Sequence, residues 1–172
     1  MGELVSHKSS RTKIQDFRGA SLKGHDFSGK KLEYADFSGA DLREANFRDA
    51  YIYKANFEDA NLAGACLERA FLGESILLGT NLRGANMLRA DSRHVNARRA
   101  CFAGSNLDLV NFNGSDFADA DMGLNIADCR SFYGCTFSRR VVPWLILHPF
   151  WHAYKDSVSF VDDQGEVNLK FV

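Results

Sequence analysis

Residues Tyr34 to Ala50 read YADFSGADLREANFRDA, with Phe37, Leu42 and Phe47 five apart and each two residues after an alanine. No single regular element uses that spacing. Five helical residues turn about 500°, which lands about 140° from the starting side, and an odd step along a strand swaps faces. The period therefore belongs to an architecture larger than one helix or strand.

Stepping by five from Phe17 to Phe137 gives 25 positions with no insertion or deletion, and 24 of them are apolar, Ser92 being the exception. At 45% hydrophobic composition, chance placement would give about eleven. Two residues before each of these positions the side chain is Ala, Ser, Thr, Val or Cys; the misfits Gln15, His25, Lys30, Asn125 and Arg130 lie near the two ends. Extended backbone points residues two apart to the same side, so the small and the large residue face inward together and the other three form an outward corner. Glycine recurs at that corner (Gly19, Gly39, Gly79), as a sharp backbone turn favours.

A chain that turns inward every five residues must coil, and the expected fold class is an all-β solenoid. The inward series alternates Phe17, Leu22, Phe27, Leu32, Phe37, Leu42 and so on. Like stacks on like only if the number of sides is even. Four sides give 20 residues per coil, about six coils in all, and a rod roughly 30 Å long at a strand spacing of about 4.8 Å.

The units ADFSG, ADLRE, ANFRD, ANFED, ANLAG and TNLRG resemble the pentapeptide-repeat family, over residues 15 to about 139. The resemblance implies a right-handed, quadrilateral parallel β-helix without catalytic machinery common to the family. It also implies that some members resemble duplex DNA and act on type II topoisomerases, particularly gyrase. The expected organisation is an N-terminal lead-in over 1–14, the β-helix over 15–139, and a C-terminal cap or dimerisation segment over 140–172.

Charge argues against DNA mimicry here. A 30 Å rod matching duplex DNA would need roughly 18 net negative charges, whereas 21 Lys and Arg nearly balance 22 Asp and Glu. Sorted by side, no face of the rod falls below −2. No direct nucleic-acid binding is expected, and a gyrase or topoisomerase partner is the alternative to a general role as an interaction scaffold. Catalysis is not expected, because the five histidines accompany no nucleophile motif and the glycines follow the corners, not a phosphate loop. No metal or cofactor is expected either, since the cysteines at 66, 101, 129 and 135 fit no zinc spacing.

Two surface features stand out. Tyr51 and Phe71 fall one coil apart at an outward position, with Tyr53 and the corner residue Tyr34 alongside and Lys31 and Lys54 near; clustered outward rings favour recognition. The stretch from Thr80 to Gly104 holds Arg83, Arg89, Arg93, Arg98 and Arg99 against Asp91 alone, a candidate basic belt beside an acidic end. Ser92 with Ala97 predicts a thin place in the core.

The C-terminal stretch abandons the period. RRVVPWLILHPFWHAY, residues 139–154, is expected to fold over the open coil end as one or two short helices, and SVSFVDDQGEVNLKFV to form a hairpin. Trp144, Leu145, Leu147, Phe150 and Trp151 are candidates for a cap or homodimer interface, with His148 and His152 read as ordinary cap residues. The longest apolar run is too short and too broken by proline to span a bilayer. The start MGELVSHKSS lacks the apolar stretch of a secretory signal, so the expected location is the cytoplasm.

Overall fold

The computed structural model describes residues 14–123, 129–138, 155–161 and 167–168. Parallel bridges join residues 20 apart, from Asp16 with Asp36 to Asn111 with Ser131, and from Asp16 to Cys101 successive bridges start five residues apart. Each 20-residue coil therefore carries four bridge positions, stacked into four columns. We name the four faces after their first inward residue: Phe17, Leu22, Phe27 and Leu32.

Within one unit every backbone N–H has a destination, and the residue types follow from that accounting. Around Phe37, the Phe37 N–H reaches Asn56 O of the next coil at 2.7 Å and the Gly39 N–H reaches Glu58 O at 2.8 Å. The Asp36 N–H returns to Gln15 O of the preceding coil at 2.9 Å, and the Ala40 N–H closes the turn onto Phe37 O at 3.0 Å. One donor remains, the Ser38 N–H, and the Asp36 carboxylate accepts it at 3.0 Å. Asp and Asn recur before the large residue because only a short side chain with an oxygen reaches that amide. Asn adds a second bond, its amide donating to the Asp or Asn one coil earlier, as from Asn46 to Asp26 at 3.0 Å and from Asn81 to Asn61 at 3.1 Å.

The corner residue adopts φ near +60° whatever its type: Gly39 at 65°, but also Tyr34 at 62°, Glu44 at 60° and Arg69 at 56°. None of the non-glycine residues there is β-branched, the class that this conformation penalises most.

The interior is a set of ladders. Phe17, Phe37 and Phe57 stack with centroids 4.7 and 4.9 Å apart, and Phe27 stacks on Phe47 at 4.8 Å. The small residue two before each ring is fully buried, as at Ala35, Ala45 and Ala55. Buried hydroxyls at that position bond to carbonyls: Ser75 Oγ to Ile52 O at 2.7 Å and Thr80 Oγ1 to Phe57 O at 2.8 Å. Ser92 sits at a large-residue position, is fully buried, and its Oγ has no hydrogen-bond partner. Phe17 and Leu22 are only partly buried, because no described coil lies beneath them.

The expectation of an unbroken phase holds in residue count and fails in local geometry. Asn111 still pairs with Ser131 at a separation of 20. Before it, Gly123 takes the positive φ of 57° one residue ahead of the corner position, and Cys129, expected outward at a corner, is buried.

On the Phe17 face the ladder ends in short strands: β1 (Asp116–Phe117) pairs parallel with β2 (Thr136–Ser138), and β2 with β3 (Ser159–Val161). β3 pairs antiparallel with β4 (Val167–Asn168). Val158 and Phe160 are buried against the core.

Two substitutions separate the terms that hold the coil. Phe47→Ala should lower unfolding stability by about 3 to 5 kcal/mol through loss of the stacked ring. Ser92→Ala should raise it by about 1 kcal/mol by removing an unpartnered hydroxyl. Urea unfolding followed by circular dichroism measures both; no loss at Phe47 would contradict its inward position.

Candidate functional site

Three of the four outward columns are dominated by Asp and Asn. On the Leu32 face the column reads Lys31, Tyr51, Phe71, Asp91, Asn111, Ser131. In its first three coils no short acceptor serves the amides of Glu33, Tyr53 and Gly73. Each exchange forgoes a hydrogen bond worth about 0.5–1.5 kcal/mol.

What replaces the acceptors is a cluster of rings. Tyr51 and Phe71 stack at 4.8 Å with planes 9° apart, Tyr53 stacks against Phe71 at 5.8 Å, and Tyr34 meets Tyr53 edge-on at 6.3 Å. The four aromatic residues singled out in the sequence are thus brought together. Tyr34 and Tyr51 remain 49% and 40% exposed. Stacked pairs contribute about 0.5–1.5 kcal/mol beyond their buried area, which roughly offsets the forgone bonds and leaves the exposed rings without a stability argument.

Two further residues complete the cluster. Phe71 lies across Gly73, where a Cβ would stand 3.1 Å from the ring's Cζ. Gly73 does not have a positive φ, so glycine is there for space. Glu74 accepts the Tyr53 hydroxyl at 2.6 Å and pairs with Lys54 Nζ at 3.3 Å, while Lys54 Nζ lies 5.1 Å from the Tyr53 ring centroid. The hydrogen bond to Glu74 holds the Tyr53 hydroxyl above its ordinary pKa, and that same bond, with Lys54, holds Glu74 below the usual carboxylate range. Lys54 is raised by its bonds to Glu74 and Tyr53. Sequence reading missed both residues. The available signals were a glycine one place before the corner and an opposite charge 20 residues after Lys54.

The basic belt is not one patch. Arg83, Arg93 and Arg98 follow the inward positions of the Leu22, Leu32 and Phe17 faces, and Arg89 and Arg99 occupy two different corners. Arg93 is held by Asp91 (Nε–Oδ1 2.8 Å, Nη2–Oδ2 2.7 Å) and Arg98 by Asp116 at 3.3 Å. Arg83 donates to Cys101 Sγ at 3.6 Å. Arg89 lines a cleft with Ala90, Asp91, Leu109, Asn111 and Arg130.

Trp144, Leu145, Leu147, Phe150 and Trp151 lie outside the described residues, as do His148 and His152. All four cysteines are free thiols, and burial pushes Cys135 up to about 12. Elsewhere the surface neutralises itself locally: Arg18 and Arg43 clamp Asp16 and Asp41, and those hydrogen bonds bring each carboxyl down to about 2. Among the described residues no group of His, Cys, Asp and Glu is arranged to hold a metal, and no helix is long and apolar enough to cross a membrane.

Comparison with known proteins agrees with this geometry. A family model for pentapeptide repeats matches residues 16–49, 42–77, 55–91 and 75–114, in eight copies. A pentapeptide repeat protein of the Arabidopsis thaliana thylakoid lumen is 36% identical, with a TM-score of 0.53 over 60% of this chain and 69% of that one. HetL, a pentapeptide repeat protein involved in heterocyst differentiation regulation in the cyanobacterium Nostoc sp. strain PCC 7120, is 27% identical, with a TM-score of 0.61 over 72% of this chain; the match spans 53% of HetL. A trypsin-treated form of QnrB1, a plasmid-mediated fluoroquinolone resistance protein, shares the fold at 22% identity and a TM-score of 0.53, over 77% of this chain and 68% of that one. No curated protein sequence matches the chain.

The Tyr53, Glu74 and Lys54 contacts make a titration prediction. Glu74→Gln removes the acceptor charge that disfavours the phenolate, so the Tyr53 pKa should fall toward the ordinary tyrosine value, most plainly in the ring Cζ resonance during a pH titration. An unchanged Tyr53 titration would refute the contact.

Proposed function

The chain belongs to the pentapeptide-repeat family, and from that premise we propose that it is a non-enzymatic scaffold that binds a protein partner through the Leu32 face. One observation carries the reading: three consecutive coils of a single column surrender the Asp or Asn acceptor for Lys31, Tyr51 and Phe71, and leave exposed rings in its place. Rings held by neighbours present contact area with little side-chain entropy left to lose. The stack fixes Tyr51 and Phe71, the Glu74 bond fixes Tyr53, and the positive-φ corner aims Tyr34 outward. Aromatic residues near a patch centre dominate typical protein interfaces.

The proposal extends to the rest of the molecule. The rod has about six right-handed coils; the segment with Trp144, Leu145, Leu147, Phe150 and Trp151 covers its end or joins two copies, which sedimentation equilibrium distinguishes. The free thiols favour the reducing cytoplasm. The alternative, a DNA mimic directed at gyrase or another topoisomerase, lacks the negative field it requires, because 21 basic residues oppose 22 acidic ones and ion pairs such as Arg18 with Asp16 cancel charge on the surface itself.

Affinity capture with the intact protein tests the main reading. The variant Tyr51→Ala with Phe71→Ala should keep the circular dichroism of the coil and lose at least about tenfold in affinity for the captured partner, in line with interface hot spots. Undiminished capture would reduce the ring cluster to a structural role. Addition of the protein to a gyrase supercoiling assay, with and without quinolone, should change nothing; inhibition or quinolone protection would favour the alternative.

A further inference from the structure

Beyond the ring cluster, the Leu32 face carries a second feature two coils further along its outward column. Arg89 and Arg130 line one open cleft of about 390 Å3 with Leu109 and Asn111. Most described arginines are committed to carboxylates: Arg18 to Asp16, Arg43 to Asp41, Arg48 to Glu68, Arg69 to Asp49, Arg93 to Asp91 and Arg98 to Asp116. Arg89 and Arg130 form no ion pair with a described carboxylate. The one acid in the cleft wall, Asp91, has both oxygens engaged by Arg93, so it does not neutralise them. Two arginines without an ion-pair partner among the described carboxylates therefore line the same open space.

A third donor stands with them. Asn111 accepts the Asn113 N–H through Oδ1 at 3.1 Å. In its column the preceding acceptor is Asp91, already held by Arg93, so the Asn111 amide N–H groups do not enter the ladder that Asn46, Asn81 and Asn106 make. Leu109 forms the apolar wall: it occupies a corner at φ 59° and is 47% exposed.

We propose that this cleft is an oxyanion site, with Arg89 and Arg130 supplying charge-assisted donors and Asn111 a neutral one. Guanidinium forks and a primary amide match the lone pairs of a carboxylate or a phosphate, and such bonds are the stronger class of hydrogen bond. The open mouth and the Leu109 wall suit an oxyanion carried on a larger body. The site is independent of the aromatic cluster and stands or falls separately.

The test is a titration of the intact, nitrogen-15-labelled protein, read at the arginine Nε–H resonances. Sodium phosphate and sodium acetate are added in separate arms, with sodium chloride keeping ionic strength constant. Expected are saturable shifts at Arg89 and Arg130 with Arg99 unmoved, and an apparent affinity about tenfold weaker at Arg89 in Arg130→Gln, from loss of one charged fork. Saturation by acetate identifies a planar carboxylate ligand; saturation by phosphate alone identifies a tetrahedral one. Linear shifts in both arms, an equal response at Arg99, or an Arg89 titration untouched by Arg130→Gln would overturn the proposal.

Discussion

Everything in this molecule depends on placing five backbone N–H groups in every five-residue unit. Three go to neighbouring coils, one closes the turn, and the last has no backbone acceptor within reach. The Asp36 to Ser38 bond at 3.0 Å shows the solution that recurs along the chain, a short oxygen-bearing side chain just before the large inward residue. An unpaired amide in so thin a wall would cost about as much as a hydrogen bond contributes. The requirement therefore selects Asp and Asn at one position in five, and through them a polar, largely self-neutralised surface. Against that background the run of Lys31, Tyr51 and Phe71 is conspicuous: elsewhere single positions such as Cys66 and Ile76 depart from the surface rule, but only here do three successive coils of one column depart together.

The fold was legible in the sequence because the interior demands are local and repeat in phase. Phe37, Leu42 and Phe47 each meet the same small neighbour and the same turn, so 24 apolar positions in 25 fix the five-residue unit, and the Phe and Leu alternation points to an even number of sides, without knowledge of any contact. The aromatic cluster was legible for the same reason, since Tyr51 and Phe71 differ by one full coil. What was missed lies off that arithmetic. The role of Asp and Asn before each large residue is a bond to a backbone amide, which periodicity does not register. Glu74 and Gly73 act through the particular directions of the Tyr53 hydroxyl and the Phe71 ring.

The basic belt encircles the rod. Arg83, Arg89, Arg93, Arg98 and Arg99 are close in sequence, yet one coil distributes consecutive residues around all its faces. Arg89 and Arg130, 41 residues apart, line the same cleft. Near residues 123–129 the failure is different again: the spacing is kept while Gly123 and Cys129 leave their expected roles. A count of residues constrains how much chain fills a coil, and not the path it takes.

The 20-residue register also makes the surface behave as a coordinate grid. Position around the rod is the residue number modulo 20, and position along it is the number of whole coils. Inserting one 20-residue coil between Phe71 and Arg89 would slide the ring cluster and the arginine cleft apart by one strand spacing, about 4.8 Å, without turning either. Inserting five would instead carry everything downstream a quarter turn onto another face. Such a scaffold can change the distance between two features while preserving their direction, a freedom that a globular domain with one shared core does not have.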